Sequence, residues 1–391
     1  MTTRRAAARD KMRPMVERCR RVALQMHRLA VTNPTGVHRY AVQLAAALTA
    51  TVADGDQVEL WHGATSEAPD VPAAVTTRTW PLHRRLVHLS WWALHRPLAD
   101  RFLGDVALVH SLTPAVPVPT RVPLVVTVHD LLTLQHPEWY TPFARRIVGA
   151  ALRHAARHAA RIITPSEVVA RDVRTTLGVE PHRVVVVAEG VDDRFRTRLP
   201  AAVIADACNR YQLRPGGYAV AVGEVGPRKN LGLLLDALAG ITRENRPLLA
   251  LVGADGGAAA GLREHALRLG VAEQVRWTGR VSDADLVALV QGARVLVHPS
   301  HYEGFGLTPL EAMAAGTPVV ASSAGSVPEV VGDAGVLLDP DDTPAWRDTI
   351  SRLAGDDATA TDLAHRGVTR AEAFTWERAA RETWHIYDTL A

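Results

Sequence analysis

The sequence is poor in cysteine and has no long apolar run, and both shortages restrict the class of protein. Its 391 residues include two cysteines, Cys19 and Cys208, which are too few for a disulfide framework and favour a reducing, cytoplasmic setting. The most apolar stretch, residues 231–251, is interrupted by four charged side chains, so we expect no transmembrane helix. No apolar segment follows the basic N-terminus, and we therefore expect no signal peptide.

Motifs typical of several other functions are also missing. There is no Gly-x-Gly-x-x-Gly fingerprint of a dinucleotide-binding domain. The pair Asp283-x-Asp285 is better explained as the start of a helix than as a metal site. The net charge of +3 is mild, and no helix-turn-helix or RNA-binding motif accompanies it. We therefore expect no dinucleotide cofactor, no metal ion and no nucleic acid partner.

The chain is long enough for two domains, and its apolar strands fall into two series. We predict strands at residues 21–26, 107–109, 124–128, 161–163 and 184–187, and again at 218–222, 248–252, 275–277, 295–297, 318–321 and 335–338. Continuous apolar strands with helical stretches between them are typical of parallel sheets covered on both faces. The pattern predicts two Rossmann-like α/β domains, residues 1–200 and 201–371, followed by a C-terminal helix over 372–391.

The clearest chemical pattern lies in residues 298–322. Two carboxylates, Glu303 and Glu311, enclose the sequence Gly304-Phe305-Gly306-Leu307-Thr308-Pro309-Leu310. Glycine lets a backbone approach a ligand closely because it has no Cβ. The expected helix directs its free N–H groups and the positive end of its dipole to the same point. A phosphate would be held there without a metal, and the two acids could bind sugar hydroxyls, which favours a nucleotide-sugar site.

Glu311 also has a purely structural explanation. Thr308-x-x-Glu311 has the spacing of a capping box, with Pro309 at the first helical position and Gly316 after the helix. Taken alone, capping explains Glu311 better than ligand binding does, although one side chain can serve both roles. Glu303 follows an apolar strand and has no such explanation, so the alternative there is a solvated loop carboxylate.

Two other segments place ionisable groups after predicted strands. Arg228 and Lys229 precede an expected helix for which Asn230 is a good N-cap, a position suited to a diphosphate. The alternative is a pair of solvated loop cations. His129 ends a strand of the first series, at the sheet edge where ligands of open α/β proteins bind. A structural histidine is the alternative at that position.

Together these motifs resemble the E-x7-E signature and surrounding pattern of glycosyltransferase family four. The resemblance runs from about Val22 to the C-terminus and is weakest between Ala53 and Ala107. It implies the GT-B fold, in which two Rossmann-like domains face each other across a cleft and the C-terminal helix packs back on the first domain. It also implies a retaining glycosyltransferase that moves a hexosyl group from a nucleotide diphosphate sugar to an acceptor hydroxyl.

The resemblance assigns site residues by position. It implies catalytic roles for His129, Arg228, Lys229 and Glu303, and donor binding by Gly36, Gly223, Asn230, Gly279, Arg280, Gly304, Phe305, Gly306, Leu307, Thr308 and Glu311. Within that set, Arg228 and Lys229 would bind the diphosphate, and Glu311 the ribose hydroxyls. One departure is Glu224, which stands where many members have an arginine.

The donor and the acceptor are less constrained. Residues 223–230 most resemble mannosyltransferase-like members, which makes GDP-mannose the first donor candidate, with UDP-GlcNAc, UDP-glucose and dTDP-sugars as alternatives. The acceptor would be a glycan, a lipid-linked sugar or a natural product, and no cofactor or metal is expected. A sugar-nucleotide epimerase and a catalytically inactive nucleotide-sugar binder are the competing functions. Residues 80–101, rich in Trp and Arg, could contact a membrane surface or form an ordinary packing helix.

Overall fold

The computed structural model describes residues 20–26, 36–53, 55–63, 71–80 and 84–390, without the side chains of residues 84, 85, 87 and 88. These residues form two parallel sheets, each flanked by helices. The basic N-terminal segment and Cys19 lie outside the described residues, whereas Cys208 is buried and unpaired with another cysteine. The α/β class predicted from the strand pattern is thereby confirmed.

The first sheet has seven parallel strands in the order β3-β2-β1-β4-β5-β6-β7. Their bounds are β1 Arg21–Met26, β2 Gln57–His62, β3 Thr76–Thr79, β4 Leu108–Ser111, β5 Leu124–Thr127, β6 Arg161–Thr164 and β7 Val184–Val186. The central strands β4 and β5 are buried along their whole length because helices cover both faces of the sheet. The strand order reverses between β1 and β4, and this leaves a crevice at their carboxyl ends, the usual binding place in open α/β sheets.

The second sheet has six parallel strands in the order β10-β9-β8-β11-β12-β13. Their bounds are β8 Tyr218–Val222, β9 Leu248–Val252, β10 Val275–Gly279, β11 Val295–His298, β12 Val319–Ser322 and β13 Val336–Leu338. This sheet also reverses its order, between β8 and β11. Its crevice therefore opens at the carboxyl ends of those two strands.

Helices connect the strands and cover both sheets. The first group is α1 Gly36–Ala50, α2 Arg84–Leu94, α3 Asp100–Leu103, α4 Leu132–Gln135, α5 Pro142–His158, α6 Glu167–Leu177, α7 Asp193–Arg196 and α8 Ala201–Arg210. The second is α9 Leu231–Ala239, α10 Ala259–Arg268, α11 Asp283–Gly292, α12 Leu307–Ala314, α13 Val327–Val331, α14 Thr343–Gly355, α15 Asp357–Ala371 and α16 Trp376–Asp388. Within the described ranges, no helix is both long and apolar enough to cross a membrane.

The C-terminal helix returns to the first sheet. Its apolar side packs on α1, and Trp384 Nε1 donates a hydrogen bond to the Leu48 carbonyl at 3.3 Å. Trp376 and Tyr387 are buried in the same cluster as Leu44 and Leu48. Trp376, Trp384 and Tyr387, which are buried on one side of this helix, thus hold it against the first domain.

Two strands, β2 and β3, fall in the segment where the family pattern is weakest and were not predicted. β3 has the sequence Thr-Thr-Arg-Thr and lies largely exposed at the edge of the sheet. An edge strand of this composition has no apolar run, so neither periodicity nor propensity distinguishes it from a loop.

Candidate functional site

A cavity of about 410 Å³ lies between the two sheets, at the carboxyl ends of their strands. The predicted site residues that line it are Gly36, His129, Gly223, Arg228, Lys229, Arg280, Glu303, Gly304, Phe305, Gly306, Leu307, Thr308 and Glu311. Residues from both domains meet there because each parallel sheet directs the loops that follow its strands toward the same crevice.

Two predicted residues, Asn230 and Gly279, are not part of the lining of this cavity. Asn230 does precede α9, but its backbone is left-handed and its side chain caps no helical N–H; instead its amide donates to the Pro340 carbonyl at 2.8 Å. The Gly279 carbonyl accepts a hydrogen bond from the Gly253 N–H at 3.0 Å. The side-chain cap assigned to Asn230 is therefore wrong, and both residues support the loops around the cavity.

Glu303 is buried among cations. Lys229 Nζ donates to Glu303 Oε1 at 2.8 Å, Arg228 pairs with the second carboxylate oxygen, and His298 Nε2 lies 3.2 Å from Oε1. Burial alone would raise the pKa of Glu303, but the charges of Lys229 and Arg228 hold it well below its usual value. Glu303 is consequently a carboxylate that neutralises its neighbours, and not a solvated loop acid.

Lys229 lies inside the cavity, together with Arg228, in the turn that precedes α9. The Lys229 side chain is 13% exposed. Burial lowers the pKa of Lys229, although the negative charge of Glu303 opposes this shift. Arg228 also donates to the Tyr302 carbonyl at 3.0 Å, which fixes the guanidinium beside the lysine. Two cations held side by side near a helix start have the charge and placement that suit a diphosphate, which would share them with Glu303.

Helix α12 begins in this cavity, but without the predicted capping box. Its N-cap is Gly306, which has a φ of 123°, and no side chain caps the helix. Residues other than glycine rarely adopt this backbone conformation. Thr308 lies inside the helix, so it cannot accept from the third helical N–H as a capping residue does. The N–H groups of Leu307 and Thr308 thus have no partner within the helix, and both residues line the cavity.

Glu311 bonds across the cleft to Arg39, a residue that the sequence did not single out. Arg39 Nη1 donates to Glu311 Oε1 at 2.7 Å, and Asp283 lies 3.8 Å from the same guanidinium. Burial raises the pKa of Glu311 to about 7, although Arg39 opposes the shift. Arg39 lies in the first turn of α1, directly before the buried Tyr40. In the sequence, Arg39 is distinguished only as a polar residue next to the apolar side of α1.

His129 lies between the domains with both ring nitrogens engaged. Nδ1 is 3.3 Å from Glu189 Oε1 and Nε2 is 3.0 Å from the Leu112 carbonyl. Both partners are acceptors, so the imidazole satisfies both when it carries two protons. Burial alone would lower the pKa of His129, but the Glu189 carboxylate and the Leu112 carbonyl raise it. A protonated His129 cannot accept a proton from a substrate hydroxyl.

The two domains touch beside His129. A Cβ placed on Gly304 would lie 1.9 Å from the His129 carbonyl oxygen, so the backbones meet where no side chain fits. Ser166 Oγ donates to the Gly304 carbonyl at 2.8 Å. The Glu329 carboxylate accepts hydrogen bonds from two N–H groups at the start of α6, those of Glu167 and Val168, each at 2.8 Å. These contacts join the two domains beside the cavity.

Family models match both halves of the chain. The model described as Glycosyltransferase Family 4 matches residues 34–195, and the model described as Glycosyl transferases group 1 matches residues 215–370. The two matches cover the first and the second sheet almost completely, and their junction falls between β7 and β8. Both halves of the cavity therefore come from glycosyltransferase domains.

Similar proteins agree with the family models. The O-antigen chain mannosyltransferase B of Escherichia coli is 31% identical over 372 residues, which are 91% of this chain and 96% of the relative. A D-inositol 3-phosphate glycosyltransferase of Streptomyces avermitilis is 30% identical over 98% of this chain and 90% of its own length. The structure of HepE from Anabaena with UDP and glucose superposes with a TM-score of 0.74, at 20% identity, over 95% of this chain and all of HepE. With two parallel sheets arranged as in GT-B glycosyltransferases, and a cleft lined by the Glu303-x7-Glu311 pair, this chain belongs to glycosyltransferase family 4.

Proposed function

We propose that this enzyme transfers a hexosyl group, with retention of configuration, from a nucleotide diphosphate sugar to an acceptor hydroxyl, and that its donor is GDP-mannose. The observation that carries the proposal is the cluster of Arg228, Lys229 and Glu303 that lines the cavity beside the start of α12. It offers two cations to a diphosphate and a carboxylate to the adjoining sugar hydroxyls. The mannosyl donor is supported by the name of the Escherichia coli relative, a mannosyltransferase.

The arrangement of the carboxylates supports transfer without a protein nucleophile. Glu303 is held by two cations and Glu311 by Arg39, and His129 has no nitrogen available to accept a proton. In the proposed reaction the acceptor oxygen bonds to the anomeric carbon on the face from which the diphosphate departs. The hydroxyl proton passes to an oxygen of the leaving diphosphate. Arg228, Lys229 and the N–H groups of α12 stabilise the negative charge that develops there.

Two roles are open to His129 in this reaction, stabilising an oxocarbenium-like state or holding the donor sugar. Its ring nitrogens are engaged by Glu189 and the Leu112 carbonyl, which fixes the ring and favours the second role. We propose that His129 orients the donor sugar through its fixed position at the contact between the domains.

We propose that transfer needs no metal ion, because Arg228 and Lys229 supply the positive charge that a divalent cation would otherwise bring to the diphosphate. EDTA is therefore expected to leave the initial rate of transfer unchanged. The measurement compares the rate of nucleoside diphosphate release before and after chelation, and again after addition of Mg²⁺ or Mn²⁺. Loss of activity with EDTA and its recovery with either ion would contradict this proposal.

The donor is tested by thermal denaturation with GDP, UDP, dTDP and ADP, since a ligand that binds the folded state raises its apparent stability. GDP is expected to give the largest rise in Tm. A larger rise with UDP or dTDP would replace GDP-mannose by the corresponding sugar nucleotide. Incubation with the donor alone tests for an epimerase, which would isomerise the sugar. Incubation with the donor and glycan acceptors tests for an inactive binder, which would bind the donor without turnover.

A further inference from the structure

An apolar surface lies on two neighbouring helices of the first domain. Its large side chains are Leu86, Leu89, Trp92 and Leu94 of α2 and Phe143 of α5, which are between 42% and 73% exposed. Three other large apolar side chains in the described part of the chain are similarly exposed, namely Val203, Leu267 and Val368, and they belong to helices α8, α10 and α15. Helices α2 and α5 contact each other, and we call these five exposed residues the α2–α5 surface.

Helix α2 is held to the domain by its other side. Trp91 is fully buried, its Nε1 donates to the Pro97 carbonyl at 2.7 Å, and its ring packs against Trp80 at 5.2 Å. Leu86 and Leu89 lie at i and i+3 on the opposite side of the helix, where they face solvent. The helix is therefore firmly placed, and the exposed leucines do not contribute to its attachment.

The two sequence segments that carry the α2–α5 surface contain arginines and no acid, although exposed Glu138 directly precedes the second of them. Residues 71–99 and 139–166 contain no Asp or Glu, and the second stretch contains five arginines. Arg96, Arg146, Arg153 and Arg157 are exposed, and none of them forms an ion pair with any described residue. An apolar face beside unpaired arginines is complementary to a lipid bilayer with anionic headgroups.

The surface adjoins the mouth of the cleft. Tyr140 lines the cavity, and Phe143 follows it by three residues at the start of α5. Because α5 runs away from the carboxyl edge of the sheet, its first turn is the end that lies nearest the cavity. A bilayer in contact with Phe143 would lie beside the opening through which an acceptor reaches the site.

We propose that the α2–α5 surface binds a membrane that contains anionic lipids and holds the cleft beside it. The proposal is independent of the donor and of the mechanism proposed above. A second copy of the chain is a poorer partner for this surface. A twofold interface would place the exposed arginines of the two copies together, and repulsion between them would oppose the apolar contact.

The test is co-sedimentation of the full chain with vesicles of phosphatidylcholine alone or mixed equally with phosphatidylglycerol. We expect binding to the mixed vesicles that weakens as salt is raised, because the anionic headgroups attract the arginines. The variant Leu89→Ser/Phe143→Ser should bind at least tenfold more weakly. Its control is Leu267→Ser, which removes an equally exposed leucine from α10 in the second domain and should change binding less than twofold.

A second pair of variants tests the charge. Arg146→Glu/Arg153→Glu should also lower binding at least tenfold, whereas Arg243→Glu/Arg381→Glu reverses two exposed arginines elsewhere and should have a much smaller effect. All variants retain the basic N-terminal residues, so a difference between them reports on the α2–α5 surface alone. Absence of binding to the mixed vesicles would overturn the proposal, as would equal binding by all variants. A dimer in solution that Leu89→Ser/Phe143→Ser dissociates would identify a second copy as the partner instead.

Discussion

Replacement of Lys229 by alanine is expected to lower the turnover number roughly a hundredfold or more, in line with the loss of single donors that stabilise developing charge. Lys229 is one of two lysines in the chain, the other being Lys11. Its ammonium group lies in the cavity at 2.8 Å from Glu303, within the cluster that would receive the diphosphate. The negative charge on the leaving group grows as the glycosidic bond breaks. Loss of the Lys229 ammonium group should therefore affect turnover more than donor affinity.

The fold should survive this change, since Glu303 keeps Arg228 as a partner for its buried charge. Lys229→Met is the matched control, because it retains most of the side-chain volume and removes only the charge. If charge is what matters, the methionine variant should be as slow as the alanine variant while its Tm stays close to that of the native enzyme. The measurements are steady-state kcat and KM for the donor together with thermal denaturation. A near-native kcat in either variant would remove Lys229 from the mechanism.

The sequence predicts those parts of the fold and site that depend on neighbours along the chain. Strands β1, β8 and β9 begin and end at the predicted residues because each is a mostly buried and mostly apolar run of five or six residues. The segment from Glu303 to Glu311 is likewise local, and it lines the cavity together with Arg228 and Lys229. Each of these features lies on a strand end or helix start that the local pattern already marks.

Features that depend on contacts between distant residues could not be predicted in this way. Arg39 and Glu311 are 272 positions apart, and nothing in either local sequence indicates that they pair. The same holds for His129 and Glu189, which come from the ends of two strands that are not neighbours in the sheet. The capping box predicted from the spacing of Thr308 and Glu311 was wrong for a related reason. The glycine at the start of α12 shifts the helix boundary, and the tertiary partner takes the carboxylate that a capping box requires.

The arrangement also indicates what donor binding must change. Both carboxylates of the E-x7-E pair are occupied by cations in this structure, Glu303 by Lys229 and Arg228 and Glu311 by Arg39. In the proposed binding mode, a diphosphate on the first pair of cations would free Glu303 for sugar hydroxyls. A ribose at Glu311 would compete with Arg39, which belongs to the other domain. Donor binding and the contact between the domains would then be coupled at Glu311.

The contact at Gly304 leads to the second large expected effect. Gly304→Ala should reduce kcat about a hundredfold, because its methyl group would overlap the His129 carbonyl oxygen and force the domains apart. Displacement of reacting groups by about 1 Å can cost this much in rate. The backbone of Gly304 is not left-handed, so alanine adds no local strain. The second domain should fold normally and bind the nucleoside diphosphate within a few-fold of the native affinity.

The control is Gly261→Ala in α10, where an added Cβ meets no atom within 4 Å and alanine favours the helix. That variant should retain native kcat and should be slightly more stable. Small-angle scattering should show a larger radius of gyration for Gly304→Ala than for Gly261→Ala, since the cleft can no longer close. If Gly304→Ala turns over at the native rate, the contact between Gly304 and His129 is not part of the active state. A slow variant with the native radius of gyration would instead place the defect in the loop that carries Glu303, because a shift of that loop relieves the same overlap without opening the cleft.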